Sequence, residues 1–261
     1  MIVQQVMNEL KAKTQTAVSV VNEDKPYCIA PTGCGLTEYV GYNKLGDTIG
    51  FVIANIDSAL HEILNIDNKY RSIGVVTARS GAGPHAMAAD EAIKSTNTEL
   101  IVFETPNDTK GGGGHGCMIL FASEDVSDAR RAVEITLNGL DWAFGGVIGN
   151  ENSFIEVQYS ARAGQVLSKY FSAEEGKAWG LINGCPSGIA ILMSDAALKS
   201  ADVRVTGWGS PAGGQHTNEF TAFIVGDSGA VKQAICTARE VGYKLMRSLG
   251  QEPVPAGREY F

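Results

Sequence analysis

Apolar positions in this chain fall into short β-branched and aromatic runs separated by helical stretches. Tyr39-Val-Gly-Tyr42, Thr48-Ile-Gly-Phe-Val-Ile-Ala54, Ser72-Ile-Gly-Val-Val-Thr77, Leu100-Ile-Val-Phe103, Cys117-Met-Ile-Leu-Phe-Ala122 and Phe154-Ile-Glu-Val-Gln-Tyr159 are candidate strands, not all of which need form. Residues 86–95 and 126–137 are rich in good helix formers and carry helical periodicity. At the start, Ile2, Val3, Val6, Met7 and Leu10 make one stripe of a short amphipathic helix. The chain then turns polar, with breakers at Asn22-Glu-Asp-Lys-Pro26 and Pro31-Thr-Gly33, so this helix hangs on a linker. A docking helix and a frayed or strand-bracing terminus are both open readings.

The pattern is written twice. Met87-Ala-Ala-Asp90-Glu-Ala-Ile-Lys94-Ser95 and Leu192-Met-Ser-Asp195-Ala-Ala-Leu-Lys199-Ser200 correspond position for position, 105 residues apart. Each is followed by a β-rich run, a glycine-rich loop, a second β-rich run and a helical segment opening at Ser127-Asp-Ala-Arg-Arg-Ala132 or Gly229-Ala-Val-Lys-Gln-Ala234. A repeat of this size is a duplicated domain. Upstream, Glu38 to Ile49 aligns with Glu156 to Leu167 at an offset of 118, which places extra residues of the first repeat within 57–71. The expected division is an N-terminal extension 1–35, a first module 36–150, a second module 151–249 and a tail 250–261. Each module reads as α+β, a small sheet packed by helices on one face.

With 261 residues, 44% hydrophobic and 19% charged, the chain can bury a sizeable core and is not disordered as a whole. A net charge of −8 gives no basic footprint for nucleic acid. Five cysteines without regular spacing, and a start lacking a cationic segment before an apolar core, point to a reducing cytoplasm. Every apolar run is far shorter than the ~20 residues needed to cross a bilayer, so no membrane partner is expected.

The strings Ala178-Trp-Gly-Leu-Ile182, Ala190-Ile-Leu-Met-Ser-Asp195-Ala-Ala-Leu-Lys199 and Val225-Gly226-Asp227-Ser-Gly229-Ala-Val231 resemble the signature of bacterial microcompartment shell domains. The first repeat shows it more loosely in Ser72-Ile-Gly-Val-Val76, Ala89-Asp90-Glu-Ala-Ile-Lys94 and Ser123-Glu-Asp125-Val. A strand–helix segment precedes the signature in each half, as in the circularly permuted tandem class. Asp47-Thr-Ile-Gly-Phe-Val-Ile-Ala-Asn55, Asn68-Lys-Tyr-Arg71 and Asp128-Ala-Arg-Arg-Ala-Val-Glu134 resemble the PduB/EtuB type of propanediol- and ethanol-utilisation compartments. The resemblance implies a homotrimer imitating a hexagon, tiled with other shell proteins into a facet in the bacterial cytoplasm. It implies no chemistry and no cofactor.

The resemblance also gives roles to particular residues. The two glycine-rich loops, with Asp108, Thr109, Lys110, Gly111, Gly112, Gly113, Gly114 and His115 in the first and Pro211, Gly213, Gly214, Gln215 and His216 in the second, would surround a central pore on the three-fold axis. Four successive glycines could instead cradle a phosphate, but no GxxxxGK[ST] frame surrounds them, and a flexible surface loop is the plain alternative. Arg79, Ser80 and Gly81, with Asn183, Cys185 and Ser187, lead strands into helices and are expected to line a smaller channel within each subunit, passing small polar alcohols or diols. Lys94 and Lys199 follow Asp90 and Asp195 by one helical turn, the spacing of a solvated ion pair; in shell proteins the matching lysine lies at the tile edge. His115 beside Cys117, matched by His216, is the one pairing able to converge on a metal, and the second loop has no cysteine to complete it, so no metal is expected. The N-terminal stripe would dock encapsulated enzymes.

Two other classes remain beside the shell tile: a small-molecule-binding regulator using the cleft between the repeats, and an enzyme with His115 or His216 as base. No G-x-S-x-G, HExxH or paired CxxC motif supports the latter.

Overall fold

The computed structural model describes residues 27–29, 36–106, 116–212, 217–250 and 252–261. Two six-stranded antiparallel sheets follow one another. The first contains β1 (Tyr27–Ile29), β2 (Tyr39–Asn43), β3 (Thr48–Ile53), β4 (Ser72–Ala78), β5 (Glu99–Glu104) and β6 (Cys117–Ser123), in the spatial order β1-β2-β3-β4-β6-β5. The second contains β7 (Val147–Gly149), β8 (Phe154–Ser160), β9 (Ala178–Cys185), β10 (Val203–Gly209), β11 (Phe220–Gly226) and β12 (Val254–Pro255), in the order β10-β11-β9-β8-β7-β12. Without the flanking β1 and β12, the two orders are the same, so the duplication is one of topology. Every candidate strand of the sequence pattern forms.

Among the described residues six α-helices fill the remaining places: α1 (Ser58–Ile63), α2 (Gly83–Ser95) and α3 (Val126–Ala143), then α4 (Gln165–Tyr170), α5 (Ser187–Ser200) and α6 (Ser228–Arg247). α3 lies across β2, β3, β4 and β6, and α6 across β8, β9 and β11. Glycine lets these long helices settle. A Cβ on Gly74 would stand 2.7 Å from the carbonyl oxygen of Ala129, and one on Gly180, the equivalent position, 2.7 Å from Cδ1 of Ile235.

Strand pairing corrects the upstream alignment. β3 pairs with β4 as β8 pairs with β9, so Phe154–Ser160 is the partner of Thr48–Ile53 and not of the segment beginning at Glu38. With that registration, residues 54–71 and 161–177 are of nearly equal length, and no insertion lies at 57–71. Strand assignments also differ from the expected segments. Tyr27–Ile29, within the expected linker, extends the first sheet beside β2. Val147–Gly149, placed before residue 151, pairs only with strands of the second sheet. Val254–Pro255, in the expected tail, closes that sheet's edge. Cys236 is half-buried on α6.

The largest core cluster is shared between the modules. Phe103 of β5 meets Phe171 edge to face at 5.2 Å, and Phe171 in turn meets Trp179 and Phe223 of the second sheet. Trp179 is fully buried and its indole N–H donates to the carbonyl of Phe171 at 2.9 Å. A second cluster, around Ile155, Ile182, Met193 and Ile235, lies within the second module.

Candidate functional site

The second sheet carries a transverse polar row. Register sets Glu156 of β8 opposite Asn183 of β9, and Asn183 opposite Thr221 of β11. All three are buried, as is Glu219 at the head of β11. Asn183 Nδ2 donates to Thr221 Oγ1 at 2.8 Å and to Glu219 Oε2 at 3.2 Å. Its Oδ1, like Thr217 Oγ1, has no hydrogen-bond partner among the described residues. An unmatched buried acceptor is costly unless something donates to it.

The first module meets the Glu156 end of this row. α2 begins at Gly83 with Pro84 in its first turn, a residue that tolerates the missing N–H there. A Cβ at position 83 would strike the Glu156 carboxylate, so in this arrangement glycine lets α2 approach the row closely. Burial raises the Glu156 carboxyl to about 7; the Gln158 amide N–H, donating at 3.0 Å, favours the ionised form, whereas the negative charge of Glu219 opposes it. Burial likewise lowers His85 to about 4, against a partial counter-effect from the Gly81 carbonyl that its ring contacts. The other ring nitrogen of His85 lies 2.8 Å from Thr48 Oγ1, tying α2 to the turn before β3.

Of the residues expected to line the subunit channel, Asn183 belongs to the polar row, Cys185 ends its strand, and Ser187 opens α5 and donates to Asn218 Oδ1 at 3.4 Å. Gly81 takes a positive φ of 82° at the entrance to α2, and the backbone N–H groups of Arg79 and Ser80 donate to the Gly46 carbonyl. Glu156, Glu219 and Thr221 were not anticipated. The signal for Glu156 was an acid inside an apolar run, where alternation placed it on the face away from the core.

The central loops stand between paired strands, β5 with β6 and β10 with β11. Asp108, Thr109, Lys110, Gly111, Gly112, Gly113, Gly114 and His115, and Gly213, Gly214, Gln215 and His216, lie outside the described residues. The N-terminal stripe Ile2–Leu10 lies outside them as well. Pro211 is exposed, and the neck of the first loop is closed by the Gly116 N–H donating to the Pro106 carbonyl at 3.0 Å. Burial raises the Cys117 thiol well above its ordinary value. Among the described residues no cluster of His, Cys, Asp or Glu has the make-up of a metal site, and no helix is long and apolar enough to cross a membrane.

The two acid–lysine pairs stand in different surroundings. Lys94 Nζ donates to Asp90 at 2.9 Å, to Glu91 at 2.8 Å and, across to the second module, to the carbonyl of Arg162 at 2.7 Å. An ammonium has three donors, so Lys94 has none left for a neighbouring tile. Asp90 accepts from the backbone N–H groups of Gly164, Val166 and Leu167, capping α4. Among the described residues Lys199 meets Asp195 alone, at 2.7 Å, with 75% of its side chain exposed.

A family model of the BMC domain matches the chain twice, over residues 72–151 and 178–254. The chain belongs to the BMC-domain family. The matches open at β4 and β9, so the strand–helix segments β3–α1 and β8–α4 stand ahead of the BMC signature, as the permuted arrangement requires. The bacterial microcompartment shell protein PduB of Salmonella typhimurium is 48% identical over 258 residues, covering 97% of this chain and 95% of that protein. The crystal structure of a trimeric PduB shell protein superimposes with a TM-score of 0.83 at 46% identity, over 87% of this chain and 100% of that one. EtuB from Clostridium kluyveri gives 0.83 at 49% identity, over 87% and 99%.

Proposed function

We propose that three copies of this chain close into a six-sided plate that serves as a non-enzymatic tile of a bacterial microcompartment shell in the cytoplasm. The observation that carries this reading is the repetition of one strand order in two consecutive BMC modules, which gives a single chain two sides of a hexagon. The likeness to trimeric PduB supports it.

The plate passes small polar solutes. Arg79, Ser80, Gly81, Asn183, Cys185 and Ser187 line one narrow conduit per subunit, and the unmatched Asn183 Oδ1 supports a guest with hydroxyl donors, an alcohol or diol. Weak binding suits a conduit, since a tightly held solute blocks it. The loops at 108–115 and 211–216 surround the three-fold axis as a second, wider opening. Other shell proteins adjoin the tile, and residues 1–35 hold encapsulated enzymes against it.

Two measurements test this. Electron microscopy of the overproduced protein should show sheets or tubes with hexagonal repeat; discrete particles under every condition would refute tiling. A structure soaked with propane-1,2-diol should place the solute within hydrogen-bonding distance of Asn183, and solute found only elsewhere would reject the subunit conduit.

A further inference from the structure

The chain already contains one complete contact between BMC modules, and it exposes both halves of a second. Within the chain, α2 packs against α4 and β8, and α4 touches β5. The duplicate of α2 is α5, and the duplicate of α4 is α1. On α2, Asp90 is 1% exposed and Met87 4%; on α5, the matching Asp195 side chain is 53% exposed and Leu192 50%. A Cβ on Gly83 would collide with Glu156, whereas one on Gly188, the matching position, would meet nothing within 4 Å. The other half behaves alike. Leu167 of α4 is fully buried, whereas its counterpart Leu60 on α1 is 39% exposed; Ile63, whose counterpart Tyr170 is half-buried, is 75% exposed. Trp208 on β10, where the matching strand β5 receives α4, is 65% exposed. Two complementary faces on one chain make a head-to-tail contact, which closes into a ring when the rotation allows.

The second seam cannot copy the first in every respect. Asp90 reaches the start of α4 because residue 164 is glycine: a Cβ there would lie 2.8 Å from Asp90 Oδ1. The residue preceding α1 is Asp57, whose carboxylate already caps that helix by accepting from the Ala59 N–H at 2.9 Å. Asp195 would therefore meet a carboxylate where Asp90 meets bare backbone. Lys199, beside Asp195 and highly exposed, is the cation in position to separate them.

We propose that α5 and β10 seat α1 of the partner subunit, with Lys199 bridging Asp195 to Asp57 of the partner subunit. This rests on the trimer reading and adds to it that the ring has two unlike seams: one closed within the chain by a buried cap, the other between chains by apolar contact and an exposed ion pair. The between-chain seam is the salt-sensitive one.

Sedimentation velocity over a concentration series separates the two claims, using the full-length chain. Wild type should run at three times the chain mass and dissociate at lower dilution in about 500 mM than in about 50 mM salt. Lys199→Gln, which leaves two carboxylates facing each other, should raise the dissociation midpoint about tenfold. Adding Asp57→Asn, which keeps the helix cap and removes one charge, should bring it back to within about threefold of wild type. Ile63→Asp, at an exposed position, should abolish the trimer while leaving the far-UV spectrum unchanged. A wild type that stays monomeric overturns the trimer reading itself. A trimeric wild type whose midpoint ignores all these changes, or is weakened further by Asp57→Asn, overturns the seam alone. If Ile63→Asp does not fold, the two charge variants decide.

Discussion

Glu156 and His85 titrate in opposite senses on folding. His85, lowered by burial to about 4 from an ordinary 6.5, is neutral in the fold where the unfolded chain takes up a proton, so its contribution to stability rises with pH from 4 to 6.5. Glu156, raised to about 7 from an ordinary 4.5, keeps its proton in the fold where the unfolded chain releases it, so its contribution falls from 4.5 to 7. Between pH 4.5 and 6.5 the two slopes offset each other. Glu156→Gln removes the falling one. Urea unfolding at fixed protein concentration should show the variant gaining about 2–3 kcal/mol on the wild type between pH 4.5 and pH 6.5, since each pH unit counts for about 1.4 kcal/mol. A difference constant across that range would mean that Glu156 does not hold its proton in the fold. The residue escaped notice for a physical reason. In Phe154-Ile-Glu-Val-Gln-Tyr159, alternation separates Ile155 and Val157 from Glu156 and Gln158, and a polar side of a strand ordinarily faces water. Here the first module covers it, and both sides of β8 are buried. Asn183, by contrast, stood out because it lies near the end of a strand that leads into a helix, where the resemblance places a channel.

At the level of elements, the strands and the two helices in each half that carry the repeat were legible because period and propensity agree along them. The registration upstream of β4 and β9 was not, because a chance similarity around Glu38 and Glu156 outweighed a pairing pattern that only the sheet reveals. Equivalent positions need not do equal work either. Asp125 caps α3 by accepting from the Ser127 N–H at 2.8 Å, whereas Asp227, before α6, makes no such side-chain bond. Asp125→Ala should therefore lower the melting temperature by about 2–4 °C and Asp227→Ala by less than about 1 °C. The glycines beneath the long helices differ in the same way. At Gly74 the obstacle to a methyl group is the backbone carbonyl of Ala129, which cannot move without the helix; at Gly180 it is the mobile end of Ile235. Denaturant titration should find Gly74→Ala destabilising by about 1–3 kcal/mol and Gly180→Ala by clearly less.

For the whole molecule, duplication made two modules plain in the sequence, and it concealed how far they are one body. A boundary drawn between repeats implies two cores, yet Phe103 of the first sheet and Phe171, Trp179 and Phe223 of the second stand in one continuous cluster. Phe171 is the link, touching the first module on one side and both second-module aromatics on the other. Asp90 and Lys94 reinforce the same junction from the polar side through Gly164, Val166, Leu167 and Arg162. Neither module can unfold without exposing this surface, so calorimetry of the intact protein should show one cooperative transition. Phe171→Ala removes a nearly buried aromatic that bridges the modules and should cost about 3–5 kcal/mol. Because the second module keeps its own cluster around Ile182 and Met193, the loss should fall mainly on the first module and the junction, splitting the single transition into two. A transition that moves down in temperature but stays single would mean that the polar staple at Asp90, not the aromatic cluster, holds the modules together; Asp90→Asn should then produce the split that Phe171→Ala did not.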